Sequence, residues 1–169
     1  MPWRKVGWYW VTFTLLLAAY WLFSRGLYRH QPGERGAFPL PGGFPQAIDL
    51  VEVQGKGRRT MVTRDEKGWR TPSGRRVDDL VAALLEAVVV QAGQGPVLQH
   101  GDHPENLGLS PATLTVVFHS KGAGASLAVR LGQRNPGGTG VYVQVEGSPG
   151  VYLWGLQVAY YAELLLERD

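Results

Sequence analysis

From residue 6 to residue 24 the chain carries no charged side chain and reads VGWYWVTFTLLLAAYWLFS. As a helix this run is about 28 Å long, close to the ~30 Å hydrocarbon core of a bilayer. Its rings gather at the two ends. Trp3, Trp8, Tyr9 and Trp10 stand on one side and Tyr20, Trp21, Phe23 and Tyr28 on the other, with Leu15, Leu16, Leu17, Ala18 and Ala19 between them. Amphipathic rings settle at the two headgroup levels of a membrane, so this is the pattern of a double aromatic belt. A cleavable leader has a shorter apolar core followed by small residues at the cut, whereas Tyr20, Trp21, Leu22 and Phe23 crowd that place. A buried globular helix does not normally lack a polar face for five turns. Residues 1–30 therefore predict an uncleaved single-pass signal-anchor with its flanks, in which Trp8, Trp10, Phe13, Leu16, Tyr20, Trp21 and Phe23 make the membrane contact.

The pattern then changes. Residues 31–46 begin QPGERGAFPLPGGFP, rich in proline and glycine, which propagate neither helix nor central strand; the stretch reads as a semi-extended linker. Phe38, Leu40 and Phe44 argue against a fully solvated tether. Residues 47–169 predict one soluble domain. Alternation places strands at 48–53 and 58–64 around the turn Gly55-Lys56-Gly57, and Gly68 to Pro72 is expected to end that sheet segment. A helix is expected over 77–92, with Ser73 and Asp78 as candidate caps, a stripe of Leu80, Val81, Leu84, Leu85 and Val88, and Gly93 as its stop. Residues 96–100 read as a short strand. Strands at 114–118, 126–131, 141–145 and 151–154 form an antiparallel meander, closed by a helix over 157–167. The fold class is α+β, an antiparallel β-meander with two helices packed on one face, behind one N-terminal transmembrane helix.

Composition sharpens this picture. The 169 residues include no cysteine, which excludes disulfides, zinc–thiolate sites and a thiol nucleophile. The formal charge is +3, from 17 Lys+Arg against 14 Asp+Glu. Four of the positives, Arg4, Lys5, Arg25 and Arg29, flank the apolar span. From residue 31 onward 13 positives face 14 negatives, a balance of −1, and residues 56–76 alone carry eight positives against two acids. The basic character is thus a membrane signature plus one basic hairpin, and it gives no argument for nucleic acid. The hairpin makes Arg58, Arg59, Arg64, Arg70, Arg75 and Arg76 a candidate interaction patch for anionic headgroups or an acidic partner, against the plainer reading of a solvated face. The short N-terminal flank is readily retained in the cytoplasm. That places the domain on the periplasmic or extracytoplasmic side of the cell inner membrane.

Candidate chemistry is sparse. Residues 132–140, GQRNPGGTG, look like a phosphate-cradling loop but lack the lysine and feed a strand. His100, Asp102, His103 and Glu105 could be drawn as metal ligands, yet no regular spacing orients them. Ser110, Ser120, Ser126 and Ser148 with His119 lack a nucleophile elbow. Trp69, Trp154, Tyr142, Tyr152, Tyr160 and Tyr161 would form either a binding cleft or core packing. No catalytic residue, cofactor or metal is expected.

Several segments in order resemble the bacterial domain-of-unknown-function family 4340. They are Gly68-Trp69 and Pro72 before a helix, Leu107-Gly108-Leu109-Ser110-Pro111 before a strand, Leu131-Gly132 with Asn135-Pro136, Gly140-Val141-Tyr142-Val143, and Val151-Tyr152-Leu153 before the last helix. The aromatic-Gly-Leu-Asp string usual in that family stands here as Leu107-Gly108-Leu109-Ser110. The resemblance implies an envelope accessory protein, carries no catalytic residues, and links some relatives to gliding-type ABC transporters. The expectation is a membrane-anchored, non-catalytic accessory or scaffolding subunit of an envelope complex. Its partners would be the lipid bilayer and membrane-complex subunits. The alternative is a ligand-binding module of an ABC-type transporter, with a pocket at Trp154 or Tyr152.

Overall fold

The computed structural model describes residues 13, 14, 16, 17, 40, 43–94, 104–120 and 126–168. The chain divides into two compact units, Met1–Glu34 and Arg35–Asp169. In the first, Phe13, Thr14, Leu16 and Leu17 are helical, and Phe13 and Leu16 are exposed. Trp8, Trp10, Tyr20, Trp21 and Phe23 lie outside the described residues. Among the described residues no helix is long and apolar enough to cross a membrane.

The second unit is α+β. Three strands, β1 (Ile48–Gly55), β2 (Arg58–Asp65) and β3 (Gly68–Arg70), lead to helix α1 (Asp78–Ala92) and a 3₁₀ turn at Pro104–Leu107. Four more, β4 (Leu114–Ser120), β5 (Ser126–Arg134), β6 (Gly140–Val145) and β7 (Val151–Gly155), run into α2 (Leu156–Glu167). All seven strands join one sheet in the order β3-β2-β1-β4-β5-β6-β7, and every neighbouring pair is antiparallel.

Period-two alternation gives the sheet one buried face. In register across it lie Thr60 and Val62 of β2, Val51 and Val53 of β1, Val116 and Phe118 of β4, and Leu127 and Val129 of β5. Val143 and Val141 then meet Tyr152 and Trp154. Both helices close this face: Val81, Leu84 and Val88 of α1 and Val158, Ala162 and Leu165 of α2 join the same core. Side chains on one face of a strand share a direction, so the alternate residues (Glu52, Met61, Val117, Ala128 and their neighbours) form a second face without helices. The β1–β2 turn needs two left-handed residues. Lys56 takes φ +51° and Gly57 φ +73°, which matches the twist of a two-residue hairpin.

Two local expectations are corrected, and the expected stop of α1 at Gly93 is met. Gly68–Arg70 extends the sheet as β3 instead of ending it, because three residues are too few to show alternation while Trp69 has the burial of a core residue. Neither Ser73 nor Asp78 caps α1. Val77 occupies the cap position without a side-chain bond, and the Ser73 hydroxyl pairs with that of Thr71 at 2.7 Å. Gly93 ends α1 in right-handed geometry, φ −73°. The expected strand at 96–100 lies outside the described residues.

The linker contributes to packing. Leu40 and Phe44 are half-buried against the core, and the Phe44 ring meets Phe118 edge-on at 5.6 Å. A turn at Gly43, φ +81°, is closed by the Ala47 N–H to the Gly43 carbonyl at 2.9 Å and leads the chain into β1.

Candidate functional site

The fold separates the basic residues. Arg59 lies on the helix-free face, where its guanidinium makes a two-point contact with Glu52 at 2.7 and 3.0 Å, which holds its pKa above the ordinary value. Arg70 pairs with Asp65 at 3.1 Å and Arg76 with Asp78 at 3.0 Å. Arg58 points the other way from Arg59 by alternation and lines an open cleft with Lys56, Glu163 and Glu167, in which Lys56 and Glu163 pair at 3.0 Å. Among the described residues Arg58, Arg64 and Arg75 make no ion pair. Half of the six-arginine patch is therefore neutralised within the domain, and its members face different directions.

Asp78 is the best-connected acid of this edge. Its carboxylate accepts the Trp69 N–H at 2.7 Å and the Arg76 Nε–H at 3.0 Å. The Trp69 bond is the larger cause, with Arg76 second, of a pKa below the usual carboxylate value. Gly68, at φ +118°, leaves the space the carboxylate occupies; a Cβ there would strike Asp78 Oδ1.

An apolar groove of about 400 Å³ is lined by Pro45, Gln46, Arg64, Trp69, Ala82, Leu85, Glu86 and Val89. One wall is the outer side of α1. The other is Arg64 of β2 and Trp69 of β3, and the end of the linker contributes Pro45 and Gln46. The Arg64 guanidinium stands 6.0 Å from the centre of the Trp69 ring and donates to the Gln46 carbonyl at 3.3 Å. The exposed side of α1 mixes the acids Asp79 and Glu86 with apolar residues: Val89 is 40% and Val90 62% exposed, and on α2 Tyr160 is 56% exposed. This groove escaped sequence reasoning, which assigned Arg64 to a charged patch and left Trp69 between core and cleft.

The other candidate residues fall as follows. Trp154 and Tyr152 are buried in the core. The Trp154 Nε1–H and Gln91 Oε1 are buried there without a hydrogen-bond partner among the described residues. Tyr142 and Tyr161 are half-buried, and Tyr161 meets Tyr160 ring to edge at 5.4 Å. The loop at 132–140 closes on itself. Asn135 Oδ1 accepts the Thr139 and Gly140 N–H groups at 2.8 and 3.0 Å, using amides that an anion would need. Register sets Ser126 opposite His119, but no hydrogen bond joins them. Ser120 lies opposite Ile48, and the Ser148 hydroxyl pairs with that of Tyr152 at 2.7 Å. His100, Asp102 and His103 lie outside the described residues, and Glu105 is exposed in the 3₁₀ turn. Among the described residues no group of acids and histidines is arranged to hold a metal.

No protein-family model, no curated protein and no solved structure matches this chain.

Proposed function

We propose that the chain is a single-pass, membrane-anchored accessory or scaffolding subunit of a larger bacterial envelope complex, acting through binding and not through catalysis. The anchor is the uncharged aromatic-ended run at residues 6–24, and the domain stands on the extracytoplasmic side. One structural observation supports the binding role above the others. The helical layer leaves Val89, which lines the Trp69 groove, its neighbour Val90 and, on α2, Tyr160 exposed, and an apolar groove edged by exposed apolar side chains is a place suited to another molecule. The packing of Leu40 and Phe44 supports the tethered arrangement, because it joins the linker to the domain at a defined end.

The absence of cysteine makes the topology test clean. Glu146→Cys, at an exposed turn, reacts with a membrane-impermeant maleimide in intact spheroplasts if the domain is outside; protection until lysis reverses the orientation. Affinity purification in mild detergent then recovers stoichiometric membrane subunits. A chain that comes through alone and monodisperse removes the subunit reading.

A further inference from the structure

We infer that the Trp69 groove is the docking site for a segment of a partner protein that presents a large apolar side chain with a carboxylate beside it. This names the partner chemistry for the binding role proposed above, and so rests on that reading. The groove has the volume of a small-ligand site, about 400 Å³, but it is open and runs on into the exposed Val89 and Val90. A free small molecule would fill the groove and leave that apolar extension wet, whereas a protein segment covers both. A bilayer surface fits poorly. The exposed side of α1 carries Asp79 and Glu86 and no base, which anionic headgroups would repel.

The two walls differ in a way that selects the occupant. The α1 wall supplies Ala82, Leu85 and Val89, and the short Ala82 leaves room for a bulky side chain against Trp69. The strand wall supplies Arg64, a cation without an acid partner among the described residues. Its guanidinium is already oriented by the Trp69 ring and the Gln46 carbonyl, so little rotamer freedom is lost when it binds a carboxylate. Glu86 is the other charge of the groove, exposed on the α1 wall opposite Arg64, so the occupant's carboxylate belongs on the strand side beside Arg64 and away from Glu86.

The test uses the full chain in detergent, labelled with 5-fluorotryptophan, and three probes of one shape: 3-phenylpropionate, 3-phenylpropanamide and 3-phenylpropylamine. The chain has six tryptophans, and Trp69→Phe assigns the ¹⁹F signal that reports on the groove. That signal shifts saturably, and the carboxylate binds about three- to tenfold tighter than the amide, the range of a part-exposed charge pair. Arg64→Gln abolishes the preference, Val89→Asp weakens all three probes, and Glu86→Gln leaves the order unchanged, with the other tryptophan signals in place as evidence of folding. No saturable shift, equal affinities, tighter binding of the amine, or a preference that survives Arg64→Gln overturns the assignment. None of these outcomes depends on membrane topology or on recovering a complex, so failure here is distinct from failure of the anchored-subunit proposal.

Discussion

At the scale of single residues, Asp78 ties three parts of the chain together. Sequence spacing marked it as a helix cap, yet its carboxylate turns back to hold the Trp69 N–H and Arg76 while Gly68 makes way for it. The bond to Trp69 lowers the Asp78 pKa in the folded state. The unfolded chain then takes up a proton at higher pH than the folded one, so stability increases as pH rises through this range. The contribution is complete above the unfolded value of about 3.9 and is lost as pH falls through the lower folded value. Asp78→Asn is expected to melt at a lower temperature than the native chain at pH 7, and the gap between the two is expected to narrow as pH falls below the ordinary carboxylate value. A gap that is constant from pH 7 to pH 3 would show that the charge of Asp78 plays no part. The cap misreading has a plain cause. A carboxylate near a helix N-terminus has the same one-dimensional signature whether it faces its own helix or a neighbouring strand.

At the scale of elements, what was legible depended on length and on locality. The strands β4 to β7 and both helices are long enough for their period to show, and their hairpins are local, so the meander and its closing helix follow from alternation and turn residues. The three-residue β3 was too short to show a period. The β1–β4 pairing joins Val53 to Val116, far apart in sequence, and no local signal encodes it. The groove draws Pro45, Arg64, Trp69 and Val89 from four separate elements, so it exists only after folding. The linker lies between these cases. Its apolar residues signalled contact without saying with what, and Phe44 answers by packing edge-on to Phe118. Phe44→Ala is expected to cost about 2 kcal/mol, below the value for a fully buried ring because Phe44 remains half-exposed. Urea denaturation of the full chain measures this. An unchanged midpoint would mean that the linker rests on the domain without stabilising it.

At the scale of the whole domain, the sheet grows outward from its central antiparallel pair. From β1 the chain meanders through β2 and β3 into α1; from β4 it meanders through β5, β6 and β7 into α2. Each half ends in a helix, and both helices lie on the same face, so one layer of helix serves a sheet of seven strands. Among the described residues burial is incomplete both on the helix-free sheet face, where Met61 is exposed, and on the outside of the helical layer. Surface helices normally turn charge to water, and α1 does so with Asp79 and Glu86, but it also turns Ala82, Val89 and Val90 outward, as α2 does Tyr160. Changing exposed residues away from caps and cores usually alters stability by no more than about 0.5 kcal/mol. If Val90 and Tyr160 served neither the fold nor a partner, Val90→Lys with Tyr160→Ser would therefore be silent in every assay. The expectation is a divergence between two readouts. Urea midpoints should stay within that margin, while subunits that co-purify with the native chain in mild detergent should be lost from the double variant. Retention of the same subunits at native stoichiometry would remove this surface from the interface, and a large fall in stability would show that these side chains serve the domain itself.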